Sequence, residues 1–438
     1  MRLSHLAMKL LLASVLTALL LPCAAPAAIK QLKRDPMAEA EAALRRNDPE
    51  GALAALTAVL KENPEQATAR FWRGRLLAET GDYERALNDL NEAVRLEPTN
   101  AQALAHRGFV HQKRRALDEA LADFNTALRL DPSDGWSLFC RGLIFGERGD
   151  QTAALGDLDA SLQANPRNAA AYTARAQVRM YRQEFEQAFK DYDRAVELDP
   201  KDPVSLTGRA GAYYLRGKFE EAIADYTRVI DLDPKAARPF AQRGYASAAL
   251  RDQVRALADF ETALRLDPKE PAALLGRGEL RRAGKQWEGA VADFTAALTH
   301  EPGDVRGLLG RASTLYASAQ YEKATQDYAE LVKRFPDQAQ PHNDYAWLLA
   351  TAPLEGVRDG ARAIELATKA CKLTSYQSAG YVDTLAAAYA EKGDFAEAMK
   401  WQEEAVKLSA AEPEPIQAEM RDRVALYKAQ KPYREEPK

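Results

Sequence analysis

Arginine and aspartate form two columns that repeat every 34 residues along the chain. Each column has eight members, and the two columns keep the same phase. A row of guanidinium groups could bind a polyanion, whereas a guanidinium that faces a carboxylate could form an ion pair. The columns consist of Arg73, Arg107, Arg141, Arg175, Arg209, Arg243, Arg277 and Arg311, and of Asp89, Asp123, Asp157, Asp191, Asp225, Asp259, Asp293 and Asp327.

These columns allow two interpretations. An exposed arginine row would bind an anionic polymer such as a polysaccharide, or would help an enzyme that acts on one. An internal ladder of Arg–Asp pairs would instead join paired helices, since a buried arginine needs a fixed carboxylate. We favour the ladder because the matched number and phase of the columns indicate a partnership. The sequence leaves open whether each pair closes within a repeat or between neighbouring repeats.

Other side chains of catalytic or metal-binding type lack the spacing that their chemistry needs. His106 and His111 are five residues apart, which does not place both on one helical face as a metal pair requires. Gly276 and Gly278 lie within a helical pattern and not in a phosphate-binding loop. No serine, cysteine or histidine lies in a nucleophile motif. The sequence therefore predicts no enzyme activity, no metal site and no cofactor.

A column of prolines reveals the elements that carry the charged residues. Between prolines, apolar residues recur at helical spacing over two stretches, which a polar turn such as residues 80–82 separates. Proline ends the second helix of each unit because it lacks an N–H and disfavours a helical residue before it. Each unit is thus predicted to be a helical hairpin. The prolines, all 34 residues apart, are Pro64, Pro98, Pro132, Pro166, Pro200, Pro234, Pro268, Pro302 and Pro336.

The cleanest unit, residues 101–134, combines a small residue at Gly108 with Ala120, Phe124, Ala127 and Pro132. This pattern resembles the tetratricopeptide repeat (TPR) family, and the resemblance covers nearly nine tenths of the chain. It implies an all-α fold, a right-handed superhelical solenoid of about eleven helix-turn-helix units with a C-terminal capping helix. Such a fold buries each unit only against its neighbours.

The repeats divide the chain into five predicted segments. Residues 1–28 are a signal peptide, and residues 29–66 are a lead and a degenerate first repeat. Eight regular 34-residue units occupy residues 67–338, and two atypical units occupy residues 339–412. A capping helix and a loose tail from Pro432 complete the chain, residues 413–438.

The first 28 residues have the order of a secretory signal. Arg2 and Lys9 precede an uncharged run at residues 10–21, and small residues follow up to Ala28. We predict that the mature chain starts near Ala28 and that the protein is exported, to the periplasm or the extracellular space. An uncleaved anchor and membrane association are the alternative, because residues 10–28 are nearly long enough to span a bilayer.

The resemblance also implies a groove that the first helices of the units line. It places eight rings on this inner wall, where rings give a peptide ligand contact area at low entropic cost. Several of them could instead pack against the adjacent first helix. The rings are Phe71, Phe109, Trp136, Phe139, Tyr181, Tyr214, Tyr245 and Tyr316.

The sequence thus indicates an exported scaffold or adaptor that binds a protein or peptide in this groove. Its formal net charge of −4 argues against nucleic acid as a partner, since phosphates require a basic face. A cell-envelope component that binds an anionic polysaccharide is the alternative. An exposed arginine column would favour that alternative, and a buried one would favour the adaptor.

Overall fold

The computed structural model describes residues 36–436, which form 23 α-helices and two short 3-10 helices. The predicted signal peptide lies outside the described residues. Contacts divide the described residues into two compact units, residues 36–144 and 145–436. No helix among residues 36–436 is long and apolar enough to cross a membrane.

The first unit consists of successive helical pairs. In it α1, α3 and α5 each pack on the helix that follows, and α2 and α4 also pack on the next first helix. The helices are α1 (Pro36–Arg45), α2 (Pro49–Glu62), α3 (Ala67–Glu79), α4 (Tyr83–Leu96), α5 (Ala101–Lys113), α6 (Leu117–Leu130) and α7 (Gly135–Glu147), within which the division after residue 144 falls.

The second unit repeats the same pairing up to a final single helix. The helices are α8 (Gln151–Ala164), α9 (Ala169–Tyr181), α10 (Phe185–Leu198), α11 (Pro203–Leu215), α12 (Phe219–Leu232), α13 (Ala237–Ala249), α14 (Gln253–Leu266), α15 (Pro271–Ala283), α16 (Trp287–His300), α17 (Val305–Ala317), α18 (Tyr321–Arg334), α19 (Ala339–Thr351), α20 (Gly360–Leu373), α21 (Ala379–Lys392), α22 (Phe395–Leu408) and α23 (Glu414–Lys428). In chain order the helices make eleven pairs plus α23, which confirms the predicted fold class.

Short polar side chains and prolines determine where the helices begin and end. Asn100 accepts a hydrogen bond from the backbone N–H of Ala103 at 3.0 Å and so caps α5. Asp202 caps α11 in the same way, and Pro203 takes the first helical position, where its missing N–H costs nothing. The turn inside the α3–α4 pair uses Gly81 at a φ of +86°.

Aromatic rings fill the space between neighbouring pairs. Phe260 on α14 is fully buried between Gly244 on α13 and Gly276 on α15. A Cβ atom at Gly276 would lie 2.3 Å from the Phe260 ring, so only glycine leaves room for the ring here.

The C-terminal region departs from the regular period and differs from the expectation in one respect. The enlarged turn after α19 contains a 3-10 helix, Glu355–Val357. On the capping helix α23, Met420 and Tyr427 are buried while Ile416 is 40% exposed. The tail from Pro432 is not loose, because Tyr433, Arg434 and Glu435 contact α19 and α21.

Candidate functional site

The arginine and aspartate columns form an Arg–Asp ladder of bidentate ion pairs. In each of seven described pairs, Nε and Nη2 of the arginine donate to the two carboxylate oxygens of the aspartate in the same repeat. For Arg175 and Asp191 these distances are 2.9 and 2.6 Å, and for Arg243 and Asp259 they are 3.0 and 2.7 Å. The other pairs are Arg73–Asp89, Arg107–Asp123, Arg209–Asp225, Arg277–Asp293 and Arg311–Asp327. The pairs therefore close within a repeat.

The remaining nitrogen of most of these arginines reaches the second helix of the preceding repeat. Arg175 Nη1 donates to Asp159 at 2.6 Å, and Arg141 Nη1 donates to Asn125 at 2.8 Å. The sequence analysis missed these acceptors, although they keep the 34-residue period of the ladder. Each such arginine thus ties two neighbouring repeats together. The acceptors are Thr57, Asn91, Asn125, Asp159, Asp193, Thr227 and Thr295.

Burial and charge fit a structural role for the ladder. In the seven pairs the arginine side chains are 15–22% exposed and the aspartates 3–11%. Asp157, in the remaining position of the aspartate column, is also buried. Burial by itself would lower the pKa of Arg209, but the hydrogen bond and the charge of Asp225 outweigh it and raise that pKa. The guanidinium groups are committed to internal carboxylates and do not form an exposed row.

In the first unit, one predicted groove ring is a core residue. Phe71 is 4% exposed because it packs against Trp72 and, edge-on, against His106, with ring centroids 5.2 and 5.4 Å away. This burial corrects its prediction as a groove residue. His106 in turn lies 4.7 Å from Trp136 and is therefore enclosed between two aromatic rings.

The other predicted rings of the first unit are half-buried. Phe109 lies 5.6 Å from Trp136, and Lys113 Nζ lies 5.1 Å from the centre of the Phe109 ring. Phe139 is also half-buried and packs against the cluster that contains Phe124. These rings contribute to the core of their pairs and are only partly exposed.

The enclosed position of His106 predicts a loss of stability in weak acid. Burial lowers its pKa to about 4, from an ordinary value of 6.5. Between pH 6.5 and pH 4, the unfolded chain binds a proton at this histidine and the folded chain does not. The free energy of unfolding is therefore highest above pH 6.5 in this respect and falls as the pH drops toward 4. In urea melts, the free energy of unfolding should fall between pH 7 and pH 5 by roughly 1 to 2 kcal/mol more in the wild type than in His106→Gln. Equal pH dependence in the two proteins would show that His106 is protonated as easily in the folded state.

In the second unit, the predicted rings differ in how much surface they offer. Tyr181, the last residue of α9, is 81% exposed. Tyr214 is half-buried, with its ring 5.4 Å from that of Phe219. The hydroxyl of Tyr245 donates to the carbonyl of Ala272 at 2.9 Å, so this ring is held inward. Burial raises the pKa of the Tyr245 hydroxyl to about 12.

Tyr316 lies beside the protein's own C-terminal tail. Burial is the main cause that raises the pKa of Tyr316, and the neighbouring Glu435 carboxylate raises it further. The structure thus brings Tyr316 to a surface that is already occupied.

Two aliphatic residues of α11 are also exposed, and the sequence analysis missed both. Leu215, the last residue of α11, is 71% exposed, and Val204 near the start of α11 is 56% exposed. Leu215 occupies the same place in its first helix as Tyr181 does in α9, and α9 packs on α11. We call Tyr181 and Leu215 the apolar strip. The shared position of Tyr181 and Leu215 in successive first helices was a signal that a search for aromatic rings alone could not find.

The described residues do not carry the side-chain groupings of a metal centre. Within residues 36–436, no three His, Cys, Asp or Glu side chains are grouped so as to hold a metal ion. Cys140 and Cys371 are buried free thiols, and burial raises the pKa of both, that of Cys371 to about 12. A thiol with a raised pKa is a poor nucleophile at neutral pH.

Comparison with protein families agrees with the repeat structure. A tetratricopeptide repeat model matches residues 37–100, 77–135, 141–203 and 242–305, which together span slightly more than half of the chain. Further models of tetratricopeptide repeats match residues 210–250, 306–337 and 381–412. Among curated protein sequences, none matches this chain at a significant level.

Several solved structures are similar in fold. A tetratricopeptide repeat protein from Parabacteroides merdae is 22% identical, with a TM-score of 0.43, over 56% of this chain and 96% of that one. A chain of the Cut9–Hcn1 hetero-tetramer of the APC/C is 14% identical, with a TM-score of 0.46, over 81% of this chain and 96% of that one. Yeast Tom70 is 15% identical, with a TM-score of 0.40, over 90% and 94%. At these values the likeness concerns the helical-repeat fold alone.

Proposed function

Since this chain belongs to the tetratricopeptide repeat family, we propose that it is a non-catalytic scaffold that binds a segment of a partner protein on its first helices. The partner contacts the face that the first helices present, and the second helices provide the opposite face. The Arg–Asp ladder keeps neighbouring pairs in register and takes no direct part in binding.

The apolar strip is the observation that carries this proposal. Large apolar side chains that are more than half exposed on two adjoining first helices have no function in the core. Contiguous exposed apolar surface in a soluble protein commonly marks a protein-binding site, and tyrosine gives much contact area for little entropy. A partner segment that covers Tyr181 and Leu215 would remove this surface from water.

The polysaccharide alternative has less support. It needs guanidinium groups that are free to meet an anionic polymer along the surface. The described pairs instead bind both oxygens of a buried aspartate through two arginine nitrogens. An arginine held in this way would have to leave a buried carboxylate unpaired before it could bind a sugar acid.

The proposal predicts that Tyr181→Ala and Leu215→Ala each weaken partner binding about tenfold, or by roughly 1 to 2 kcal/mol. Both side chains are exposed, so the melting temperature should change little. The partner would first be captured from a cell-envelope extract with the wild-type protein and identified by mass spectrometry. Its affinity for each variant would then be measured by calorimetry.

Val254→Ala is the matched control for these variants. Val254 is 83% exposed but lies on the second helix α14, so its truncation should leave the affinity unchanged. If only Val254→Ala weakens binding, the partner uses the second-helix face and the proposed site is wrong.

We also propose that the protein acts outside the cytoplasm, on the basis of the signal pattern in residues 1–28. N-terminal sequencing of the protein purified from its native host should find a chain that starts near Ala28. Recovery of Met1 from a membrane fraction would mean that the segment is a retained anchor.

A further inference from the structure

The C-terminal tail, residues 432–436, donates hydrogen bonds to the last carbonyl groups of helix α19. The enlarged turn after α19 leaves the last carbonyl groups of this helix without the helical partners that they would otherwise have. The N–H of Glu435 donates to the carbonyl of Thr351 at 3.0 Å, and Arg434 Nη1 donates to the carbonyl of Ala350 at 3.3 Å. The tail thus binds to the end of α19 as a separate segment of chain would.

An aromatic slot holds the side chain of Tyr433. Its ring lies 5.7 Å from the ring of Trp347 on α19. The guanidinium of Arg423 on α23 lies 5.1 Å from the Tyr433 ring and 5.6 Å from the Trp347 ring. A cation that faces two rings gives the slot a preference for an aromatic occupant.

Two charged contacts follow the aromatic one along the tail. Arg434 forms an ion pair with Glu391 on α21, which also holds Arg358 at 3.1 Å. The indole N–H of Trp347 donates to a carboxylate oxygen of Glu435 at 2.9 Å. The same carboxylate interacts with Tyr316 on α17. The tail therefore contacts three first helices, α17, α19 and α21, through three consecutive side chains of different chemistry.

These contacts have the form of a bound peptide, and we infer that residues 433–435 are an internal ligand that occupies a second peptide site on the first-helix face. The natural competitor is an extended partner segment with an aromatic residue, a basic residue and an acidic residue in succession. Such a segment would insert its ring beside Trp347 and Arg423 and place its carboxylate on the Trp347 indole. The inference rests on the proposed function, because it takes the first-helix face to be where partners bind.

Occupation by the tail would keep this site closed until a partner competes for it. The tail is joined directly to α23, so its effective concentration at the site is on the order of millimolar. A tail whose own dissociation constant for the site is micromolar would then make any free peptide bind the intact protein at least tenfold more weakly than a protein whose tail is detached.

The test uses the full-length protein with the double substitution Tyr433→Ala and Glu435→Ala, which removes the ring and the carboxylate but retains the chain. The probe is a fluorescent synthetic peptide with the sequence of residues 430–438, and its binding is followed by anisotropy. We expect the double variant to bind the probe at least tenfold more tightly than the wild type. The matched control, Lys431→Ala with Glu436→Ala, alters two exposed tail residues and should behave as the wild type does.

Two results would overturn the inference. One is equal affinity of the double variant and the wild type for the probe while both keep the wild-type melting curve. The other applies if the double variant loses structure in α19–α23: hydrogen exchange on the wild type would then have to show the Glu435 amide exchanging together with the amides of α21 and α23. An internal ligand requires the Glu435 amide to exchange faster than the amides of α21 and α23, whereas common exchange would make the tail part of the fold. Either failure leaves the apolar strip untouched, because Tyr181 and Leu215 lie on other helices, α9 and α11.

Discussion

Replacing Arg243 with leucine is expected to cost about 3 kcal/mol of unfolding free energy, and Asp259→Leu should cost a similar amount. Each change leaves the other member of a buried, bidentate pair without its main partner, and Asp259 is only 5% exposed. The double variant should cost much less than the sum, because two leucines in contact leave no buried charge. Urea melts of the four proteins measure this coupling. Additive losses would show that the two columns do not depend on each other.

A second pair provides an internal control for this cycle. Asp191 is bound by Arg175 and also by Arg179, whose Nη1 lies 2.7 Å from it. Among the described residues, Asp259 has an ion pair with Arg243 alone. Arg175→Leu should therefore destabilise the protein less than Arg243→Leu does, since Arg179 stays with Asp191. If Arg175→Leu is instead the more destabilising change, the lost stability comes from the packing of the arginine's aliphatic chain and not from the ion pair.

The links from arginine to the preceding repeat make the ladder more than a set of separate pairs. Arg209 binds Asp225 in its own repeat and Asp193 in the repeat before it, at 2.9 Å for the latter. In a repeat protein, stability is the sum of the terms within repeats and the terms between neighbours. An arginine that contributes to both terms makes the unfolding of neighbouring repeats more cooperative.

The helical pairs and the pairing of the two charged columns could be predicted from the sequence because both depend on spacing. A period of 34 residues repeats the same local geometry. A proline or an arginine at one position therefore lies beside the same repeat positions each time. The acceptors of the third arginine nitrogen could not be assigned in this way. Their identity varies between threonine, asparagine and aspartate, as at Thr227, Asn91 and Asp159, and the contact depends on the side-chain rotamer.

The exposure of the groove rings could not be predicted because it depends on which side chain lies opposite. Phe71 and Tyr181 both belong to first helices, yet Phe71 is covered by Trp72 and His106 while Tyr181 is 81% exposed. The tail gave no periodic signal at all. Its contact between Glu435 and Trp347 joins residues 88 positions apart, outside the repeat pattern.

The buried triad at the C-terminal cap should respond most strongly to the loss of its one cation. Arg423 Nε lies 2.9 Å from Asp383 Oδ1, and both side chains are less than a tenth exposed. Gln402 Nε2 donates to the same oxygen at 2.6 Å. Removing the guanidinium in Arg423→Met would leave the Asp383 carboxylate buried with only an amide as partner. We expect a loss of 3 to 5 kcal/mol at pH 7, the range typical of a broken buried ion pair.

The pH dependence of that loss distinguishes lost charge pairing from lost packing. Burial already raises the pKa of Asp383 above its ordinary value, although Arg423 acts against this, so removing Arg423 must raise the pKa further. A carboxyl group whose pKa is raised in the folded state destabilises the fold as the pH rises through that range, because ionisation then becomes favourable only in the unfolded chain. Relative to the wild type at the same pH, Arg423→Met should therefore be less destabilised at pH 5 than at pH 7. The double variant Arg423→Met with Asp383→Asn should recover most of the stability and lose this difference, since the asparagine oxygen still accepts from Gln402. An identical loss at both pH values would assign the cost to the contacts of Arg423 with the rings of Trp347 and Tyr433.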